Sequence, residues 1–428
     1  MIIKNFNNLA SSYERKIVLQ ILEAGLSAGM PDIFLKKIMH KNYLLINKNK
    51  ISVPKFDKIF VVAFGKAADS MTKALDSLIE LSGGIVIIPQ GVSSMLVDRK
   101  FEIIHGNHPV PNNKSTVAAK RIIQFLKERM ETDFVIFLIS GGGSSLVSLP
   151  DGVTLREKQI VTKLLLKAGA NIYEINCVRK HLSKTKGGRM SDYLKCNAIS
   201  LVISDVIGDD LSTIASGPTY YDTTTFQNAL KILKKYGLEK SVSKNILKRI
   251  SLGIQNKIPE TPKYIKIKNY VIATNKNCLA AMTKKAKGLG LSTKTIYPVA
   301  GDVRTAAKRL SKMIPKKPKS CLIFGGETTV IVKGRGKGGR NQELVLYGLT
   351  ESQKINNDVT IASIGTDGKD GNSDACGAVM NNFEFNSKEA QEFLQNNDSY
   401  CFLKKHNGLI FTGPTHTNLM DIGIILRN

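Results

Sequence analysis

Several features that mark common classes of protein are scarce or missing in this sequence. Six cysteines are scattered over 428 residues and none forms a CxxC pair, which argues against a zinc site or a disulfide framework. No apolar stretch approaches the ~20 residues that a membrane span requires. Residues 1–16 also lack the basic region and apolar core of a signal peptide. We therefore predict a cytoplasmic protein with reduced thiols and no membrane partner.

Acidic residues are few relative to basic ones. The chain has 35 Asp and Glu against 62 Lys and Arg, a net charge of +27, which suits nucleic acid or an anionic small molecule. The lysines recur along the whole chain, however, with no basic arm, no aromatic-rich RNA motif and no zinc-finger spacing. This distribution favours solvated lysine-rich faces, and we predict no nucleic-acid partner.

Length and pattern predict two domains. A chain of 428 residues, 42% of them hydrophobic, is globular but too long for one typical core. Buried-strand patterns alternate with helical patterns, which predicts an α/β fold with a parallel, doubly wound sheet. A polar segment with two prolines at 253–262 separates two such series. We place the domains at residues 1–255 and 256–428.

The most informative stretch is a glycine-rich loop behind a buried strand. The apolar run 134–139 has the length and β-branched content of a strand buried on both faces. It leads into Ser140, Gly141, Gly142, Gly143 and Ser144. Consecutive glycines expose backbone N–H groups at the carboxyl edge of a sheet, where a phosphate or carboxylate can approach. A turn that only needs positive φ is the alternative.

Two other strand ends in the first half carry candidate groups. Lys66 follows the strand pattern 58–64 and could reach a phosphate oxygen, although a solvated lysine explains it equally well. His105 and His108 lie in a proline-bounded loop. Because no third ligand has usable spacing, we favour a loop that contacts substrate over a metal site.

The segment 176–189 and the loop after the next strand are rich in charge. Arg179 and Lys180 belong to a cationic segment that indicates an anion clamp. Asp205 follows the strand pattern 198–203, where it could accept a hydroxyl proton or hold a metal. Helix capping is the alternative for a single aspartate, but Asp209 and Asp210 follow closely.

The second half repeats the pattern of strands that end in glycines and charged residues. Glu327 follows the strand 321–324, and Arg340 follows the glycine-rich turn 334–339 at the predicted start of a helix. Its guanidinium offers a fork for a carboxylate or phosphate. Asp367 and Asp370 follow the strand 359–364.

Taken together, these segments resemble one known family. The matching motifs are AFGKAA, HPVP, SGGGSS, VRKHLSKTKGGR, SDVIGDD with IASGPT, GGETTV, GRGKGGRNQE, GTDGKDG and GPTHTN. In this order, and over essentially the whole chain, they resemble the class II glycerate kinases. In that family the C-terminal part is called the MOFRL domain, which would cover about residues 320–428 here.

The resemblance implies an activity and roles for residues. It implies a Rossmann-like N-terminal domain and ATP-dependent, Mg²⁺-assisted phosphorylation of D-glycerate to 2-phosphoglycerate in an interdomain cleft, by a monomer or homodimer. Lys66 matches a lysine used on the transferred phosphate, Asp205 an aspartate that acts on the glycerate hydroxyl, and Arg340 an arginine held against substrate. We add as an extension that the remaining groups bind substrate or phosphate: Ser140, Gly141, Gly142, Gly143, Ser144, Arg179, Lys180, His108 and Glu327. Asp367 and Asp370 are assigned to the nucleotide or its magnesium, and the metal ligands stay unknown.

Four positions depart from the family pattern. Ile207 and Leu211 stand where prolines are common, which loosens the loop between them and leaves substrate preference open. His416 and Met420 stand where the family often has glycine and asparagine.

Two alternative functions remain at this point. An NAD(P)H-dependent hydroxypyruvate reductase is one, because relatives of the family have carried that name. It should have a GxGxxG turn, which SGGGSS does not fit. A non-catalytic nucleic-acid-binding protein is the other, suggested by the net charge of +27.

Overall fold

The computed structural model describes residues 1–40, 43–46, 49–52, 55–315, 317–355 and 358–427. The chain divides into two compact units. The middle unit is Leu35–Ile272, and the terminal unit combines Met1–Phe34 with Ala273–Asn428.

The described residues form strands and helices in alternation. The strands are β1 Met39–His40, β2 Tyr43–Ile46, β3 Asn49–Ser52, β4 Ile59–Phe64, β5 Gly83–Pro89, β6 Phe101–Gly106, β7 Phe134–Ile139, β8 Asn197–Ile203, β9 Lys268–Ala273, β10 Ser292–Asp302, β11 Ser320–Thr329, β12 Val359–Gly365, β13 Gly377–Asn381, β14 Leu409–Ile410 and β15 Asp421–Arg427. The helices are α1 Phe6–Leu9, α2 Tyr13–Ala28, α3 Pro31–Ile38, α4 Ala68–Asp76, α5 Asn113–Lys127, α6 Gly143–Leu146, α7 Leu155–Lys167, α8 Ile172–His181, α9 Phe226–Lys235, α10 Lys244–Ile254, α11 Asn275–Gly288, α12 Val303–Lys312, α13 Arg340–Lys354, α14 Ser387–Gln395 and α15 Ser399–Lys405.

The middle unit is built on a six-stranded sheet in the order β6-β5-β4-β7-β8-β9. Its pairs β4–β5, β5–β6, β4–β7 and β7–β8 are parallel. From β4 the chain first builds outward on one side, through β5 and β6, and then on the other side from β7 onward. The order therefore reverses between β4 and β7, which is where ligands bind in doubly wound folds. The predicted α/β class and doubly wound sheet are confirmed.

The inner strands of this parallel sheet are made of apolar residues. All six residues of β7 are buried, because helices cover both faces of a parallel sheet. Phe64 and Phe137 belong to the core on these strands. A second cluster, which includes Val161, Leu165 and Phe226, lies among the helices α7 to α10.

The terminal unit has a mixed sheet in the order β10-β11-β15-β12-β13-β14. Only the pair β10–β11 is parallel, whereas β15 runs antiparallel to both β11 and β12. The last strand of the chain therefore lies inside the sheet. The hairpin strands β1 to β3 and the elements β13, β14, α14 and α15 had no sequence prediction.

The N-terminal helices belong to the terminal unit by their contacts. Helix α2 packs against α11 so closely that a Cβ atom on Gly25 would lie 2.7 Å from Met282 Cγ. The division by contacts thus differs from the sequence-based division at 255, which keeps residues 1–34 with the first domain. Short-range patterns alone cannot indicate that a first helix packs on a segment 250 residues later.

The described residues contain no single helix long and apolar enough to cross a bilayer. The pair α2 and α3 passes that test only together and is bent by 51°. Much of α2 is buried within the terminal unit, including Val18, Leu19, Ile21 and Leu22.

Gly65 provides a test of the contact between β4 and the glycine loop. Its φ is +128°, and a Cβ atom there would lie 2.1 Å from Ser140 Oγ and 2.5 Å from Ser140 O. We expect Gly65→Ala to lower the free energy of unfolding by about 2–4 kcal/mol, seen as a lower thermal midpoint. Gly91→Ala is the control, since Gly91 also has positive φ but no atom lies within 4 Å of its added Cβ. Equal effects at the two positions would contradict the expectation.

Candidate active site

Lys66 and the glycine loop meet where the strand order reverses. The N–H of Lys66 donates to Gly141 O over 2.9 Å, and the N–H of Ala67 donates to Ser140 Oγ over 3.0 Å. Backbone bonds therefore hold the turn after β4 against the loop after β7. Both lie at the carboxyl ends of neighbouring parallel strands.

The loop that carries His108 joins them. Gly142 has φ +83°, and a Cβ atom on it would lie 3.1 Å from His108 Cδ2 and 3.5 Å from Lys66 Cγ. Ser145 Oγ also donates to Pro109 O over 2.6 Å. The sequence-predicted groups Lys66, His108 and Gly142 are thus direct neighbours.

Cations converge on the far end of the glycine loop. Lys186 Nζ donates to Ser144 O over 2.7 Å and to Ser144 Oγ over 2.9 Å. The Arg179 guanidinium also donates to Ser144 Oγ, and this hydroxyl lies 2.9 Å from Ser216 Oγ. Arg179, which the sequence analysis assigned to anion binding, is therefore next to the glycine loop.

Lys158 completes this cationic cluster and was missed by the sequence analysis. Its side chain is 4% exposed, and its Nζ has no hydrogen-bond partner among the described residues. Burial lowers the pKa of the Lys158 amine well below its ordinary value, and the charge of Arg179 lowers it further. Lys158 shares the buried face of α7 with Val161 and Leu165. A lysine at that spacing was the available signal.

Lys186 and Arg179 titrate abnormally for the same reasons. Burial lowers the pKa of Lys186 well below its ordinary value, and the charges of Arg179 and Lys158 act in the same direction. Burial lowers the pKa of Arg179 to about 10. The three cations of this cluster repel one another in a poorly solvated place.

The backbone around Ser216 is strained. Ala215, Ser216 and Gly217 have φ values of 51°, 63° and 58°, and left-handed conformations are costly for residues with a Cβ atom. The N–H groups of Gly187 and Gly188 hold this loop by donating to Ser216 O and Gly217 O. Strain of this kind concentrates at functional sites.

Lys180 lies elsewhere, contrary to the expectation for it. Its Nζ pairs with the buried Asp222 over 3.3 Å, although it is the neighbour of Arg179 in sequence. Adjacent residues on a helix point about 100° apart, so only one of the two faces Ser144. Lys180 belongs to a buried ion pair, so we no longer propose that it binds an anion.

The three carboxylates after β8 have different surroundings. Asp205 is half-buried directly beyond β8, the neighbour of β7 in the sheet. Asp210 accepts from Ser212 and Thr213; burial acts to raise its pKa, but these hydrogen bonds outweigh burial and lower it. Asp209 has φ +57°, and its Oδ1 is buried without a hydrogen-bond partner in the described structure.

In the terminal unit, Arg340 is held by two carboxylates. Its Nε and one terminal nitrogen donate to Asp421 over 2.6 and 3.0 Å, and its other terminal nitrogen donates to Glu327 over 2.7 Å. Burial raises the pKa of Asp421 to about 6, against the opposing effect of Arg340. Arg340 and Glu327, both predicted site residues, therefore contact each other. From the sequence, Asp421 in the last loop was a candidate to face the site, although it was not assigned a role.

Asp367 and Asp370, which were predicted to act together, have different surroundings. Asp370 is buried, and its oxygens accept from the backbone N–H groups of Asn341 and Gln342 at the start of α13. This is a helix cap supplied from a distant loop, so we do not carry a nucleotide role for Asp370 further. A Cβ atom on Gly365 would lie 3.3 Å from Asp367 Oδ1 and 3.6 Å from Asp421 Oδ1, which places Asp367 beside the Arg340 group.

Two of the four departures from the family pattern have a backbone explanation. His416 and Met420 have φ values of 56° and 63°, the region that glycine and asparagine occupy at least cost. Asp209, between Ile207 and Leu211, is left-handed as well.

Comparison with known proteins shows two domain families and similar enzymes. The model of a domain of unknown function, DUF4147, matches residues 17–251, and that of the MOFRL family matches residues 320–421. The chain is 38% identical to D-glycerate 2-kinase of Thermotoga maritima, covering 96% of this chain and 98% of the relative. It is 37% identical to glycerate 2-kinase of Pyrococcus horikoshii, covering 86% and 87%.

A solved structure has the same fold. The crystal structure of glycerate kinase from Thermotoga maritima has a TM-score of 0.83 at 37% identity, covering 96% of this chain and 99% of that one. The doubly wound domain joined to a MOFRL domain, with relatives and a solved structure that are named glycerate kinase, identifies the class of the protein as a kinase. The chain belongs to the glycerate kinase family.

The pKa of Asp421 predicts a pH dependence of stability. Its pKa rises from 3.8 to about 6 on folding, so the folded chain keeps a proton that the unfolded chain releases. Protonation of Asp421 therefore stabilises the folded state. This contribution to the free energy of unfolding is complete below about pH 4 and is lost as the pH rises through about 6, and its full size is about 3 kcal/mol. Asp421→Asn removes this titration. The thermal midpoint of the variant minus that of the wild type should therefore become more positive as the pH rises from 4 to 7. The exposed Asp358→Asn is the control. A constant difference between Asp421→Asn and wild type across this range would contradict the assignment.

Proposed function

We propose that this chain is a D-glycerate 2-kinase, which transfers the γ-phosphoryl group of ATP to the 2-hydroxyl of D-glycerate and releases 2-phosphoglycerate. The observation that carries the proposal is the meeting of Lys66, the glycine loop and the Arg179 cluster at one sheet edge, with Asp205 on the next strand. The relatives from Thermotoga maritima and Pyrococcus horikoshii are named for this substrate.

The roles follow from what phosphoryl transfer needs. Positioning and charge neutralisation supply most of the catalysis. Asp205 accepts or orients the proton of the attacking hydroxyl, because it is a half-buried carboxylate at the strand edge. Lys66, fixed by its backbone against Gly141, places a positive charge at the transferred phosphoryl group.

Arg340 is the candidate anion-binding residue of the terminal unit. Asp421 and Glu327 hold its guanidinium in one orientation, and a guanidinium fixed in this way is suited to recognise phosphate or carboxylate oxygens. Glu327, the more exposed of the two partners, can yield its contact to an incoming anion. In the middle unit, His108 and the backbone of residues 141–143 lie beside Lys66.

The residues present fit a magnesium ion. Mg²⁺ needs only one or two carboxylates beside substrate phosphates. Asp209, with a buried and unpartnered Oδ1, would offer the ion a carboxylate ligand within the middle unit. When bound, the ion supplies charge neutralisation at the phosphates.

The second candidate is a hydroxypyruvate reductase. A relative from Agrobacterium vitis, 36% identical and covering 86% of this chain, is provisionally named so. Hydride transfer needs a dinucleotide site, and the turns after β4 and β7 lack GxGxxG.

We further propose a cytoplasmic monomer or homodimer with no nucleic-acid or membrane partner, since the lysines form no single patch in the sequence.

Asp205→Asn tests the kinase directly. Loss of the proton acceptor should lower turnover by about 100- to 10,000-fold while ATP still binds. Turnover is measured as glycerate-dependent ADP release, and ATP binding by calorimetry. Phosphorus NMR of the product identifies the isomer, and 3-phosphoglycerate would refute the assigned hydroxyl. Oxidation of NADH with hydroxypyruvate, without glycerate-dependent ADP release, would select the reductase.

Lys66→Met tests the charge at the transferred group. We expect a fall in turnover of about 100- to 1,000-fold, as when a single group that stabilises the transition state is removed. Lys73→Met, on the exposed face of α4, is the matched control and should keep its activity. Similar turnover in both variants would reduce Lys66 to a solvated lysine.

A further inference from the structure

The cationic cluster of Lys158, Arg179 and Lys186 has no acidic partner. None of the three forms a salt bridge in the described part of the chain, and their hydrogen-bond acceptors are the oxygens of Ser144 alone. Asp151, whose charge acts on Lys158, is itself paired with Arg249.

Such a cluster is unfavourable without an anion. Lys158 and Lys186 are 4% and 1% exposed, and a buried ammonium without a counter-charge is costly. Asn176 lies on α8 one turn before Arg179, is 3% exposed, and has an Nδ2 without a partner. Its Oδ1 accepts from Ser216 Oγ, so Asn176 adds an unused donor close to the same hydroxyl groups.

The members of the cluster differ in exposure. Arg179 and Ser144 are half-buried, whereas Lys158 and Lys186 are almost fully buried. Arg179 and Ser144 are therefore the groups that solvent and a small anion can contact first. A compact anion can be held by these few donors, whereas a metal-bound triphosphate is larger and carries its own cation.

We propose that Lys158, Arg179 and Lys186, with Asn176, form the receptor for the carboxylate of the acceptor acid. This inference rests on the proposed function and assigns Lys158 and Lys186, in place of Lys180, to substrate binding. Ser144 lies on the loop that follows β7, and Asp205 follows the neighbouring strand β8. A carboxylate held by the cluster would therefore place the rest of the acid at the sheet edge that also carries Asp205.

The proposal separates stability from binding. Lys158→Met replaces a buried, unpartnered amine with an apolar side chain of similar length, so the thermal midpoint should rise or stay unchanged. D-Glycerate should bind about 10- to 100-fold more weakly, as expected for the loss of one charge-assisted hydrogen bond. The affinity for ATP should not change.

The experiment is calorimetric titration of the full-length wild type, Lys158→Met and the control Lys163→Met with D-glycerate, glyceramide and ATP. Lys163 is on the same helix but exposed. Glyceramide lacks the carboxylate, so its weak affinity should be equal in all three proteins. KM for D-glycerate should rise in Lys158→Met with kcat nearly unchanged.

The outcomes are distinct. Unchanged affinity for D-glycerate in Lys158→Met would overturn the inference, and so would weakened binding of ATP alone or a loss of affinity for glyceramide equal to that for D-glycerate. If Lys158→Met does not fold, Lys186→Met is titrated in the same way under the same criteria. A protein that binds D-glycerate through Lys158 but does not phosphorylate it would refute the proposed kinase and leave the carboxylate receptor standing.

Discussion

The parallel pairing of β4 with β7 is the constraint on which the rest of the middle unit depends. It sets the turn after Phe64 beside the loop after Ile139, and the bonds from Lys66 and Ala67 to that loop follow from it. Gly65 and Gly142 lie where a side chain would separate these segments or displace His108. The site is therefore a consequence of sheet topology, because the reversal of strand order opens a crevice that no single loop could make.

The cationic groups of the two units differ in whether they are paired with carboxylates. In the middle unit, Arg179 and Lys186 donate to Ser144, Lys158 is buried without a hydrogen-bond partner, and none of the three pairs with a carboxylate among the described residues. In the terminal unit, Arg340 is bonded to Asp421 and to Glu327. The first arrangement leaves positive charge without a counter-charge among the described residues, whereas in the second two carboxylates neutralise and orient a guanidinium. The large net charge of the chain has little bearing on this difference, since most lysines are spread over the surface.

Much of the fold and part of the site could be predicted from pattern. Buried strands of four to eight apolar residues were recognisable, as was the helix that begins at Arg340. The hairpin β1 to β3 and the strand β14 were not, because short elements carry too few residues for a period to emerge. The antiparallel placement of β15 between β11 and β12 is a long-range pairing, and no local signal encodes it.

The sequence by itself determined which residues stand at the carboxyl ends of strands, because a run of apolar residues followed by glycine, lysine or aspartate is a local property. It also carried the order of motifs that marks the family. Only the tertiary structure decided which charged groups come together at the candidate site. Lys180 pairs with Asp222 and Asp370 caps α13, whereas Lys158, on a helix face that otherwise reads as core, joins Arg179 and Lys186. The reason is physical: the partners of a charge, and the cost of burying it, depend on side chains that are distant in the chain and meet only when it folds.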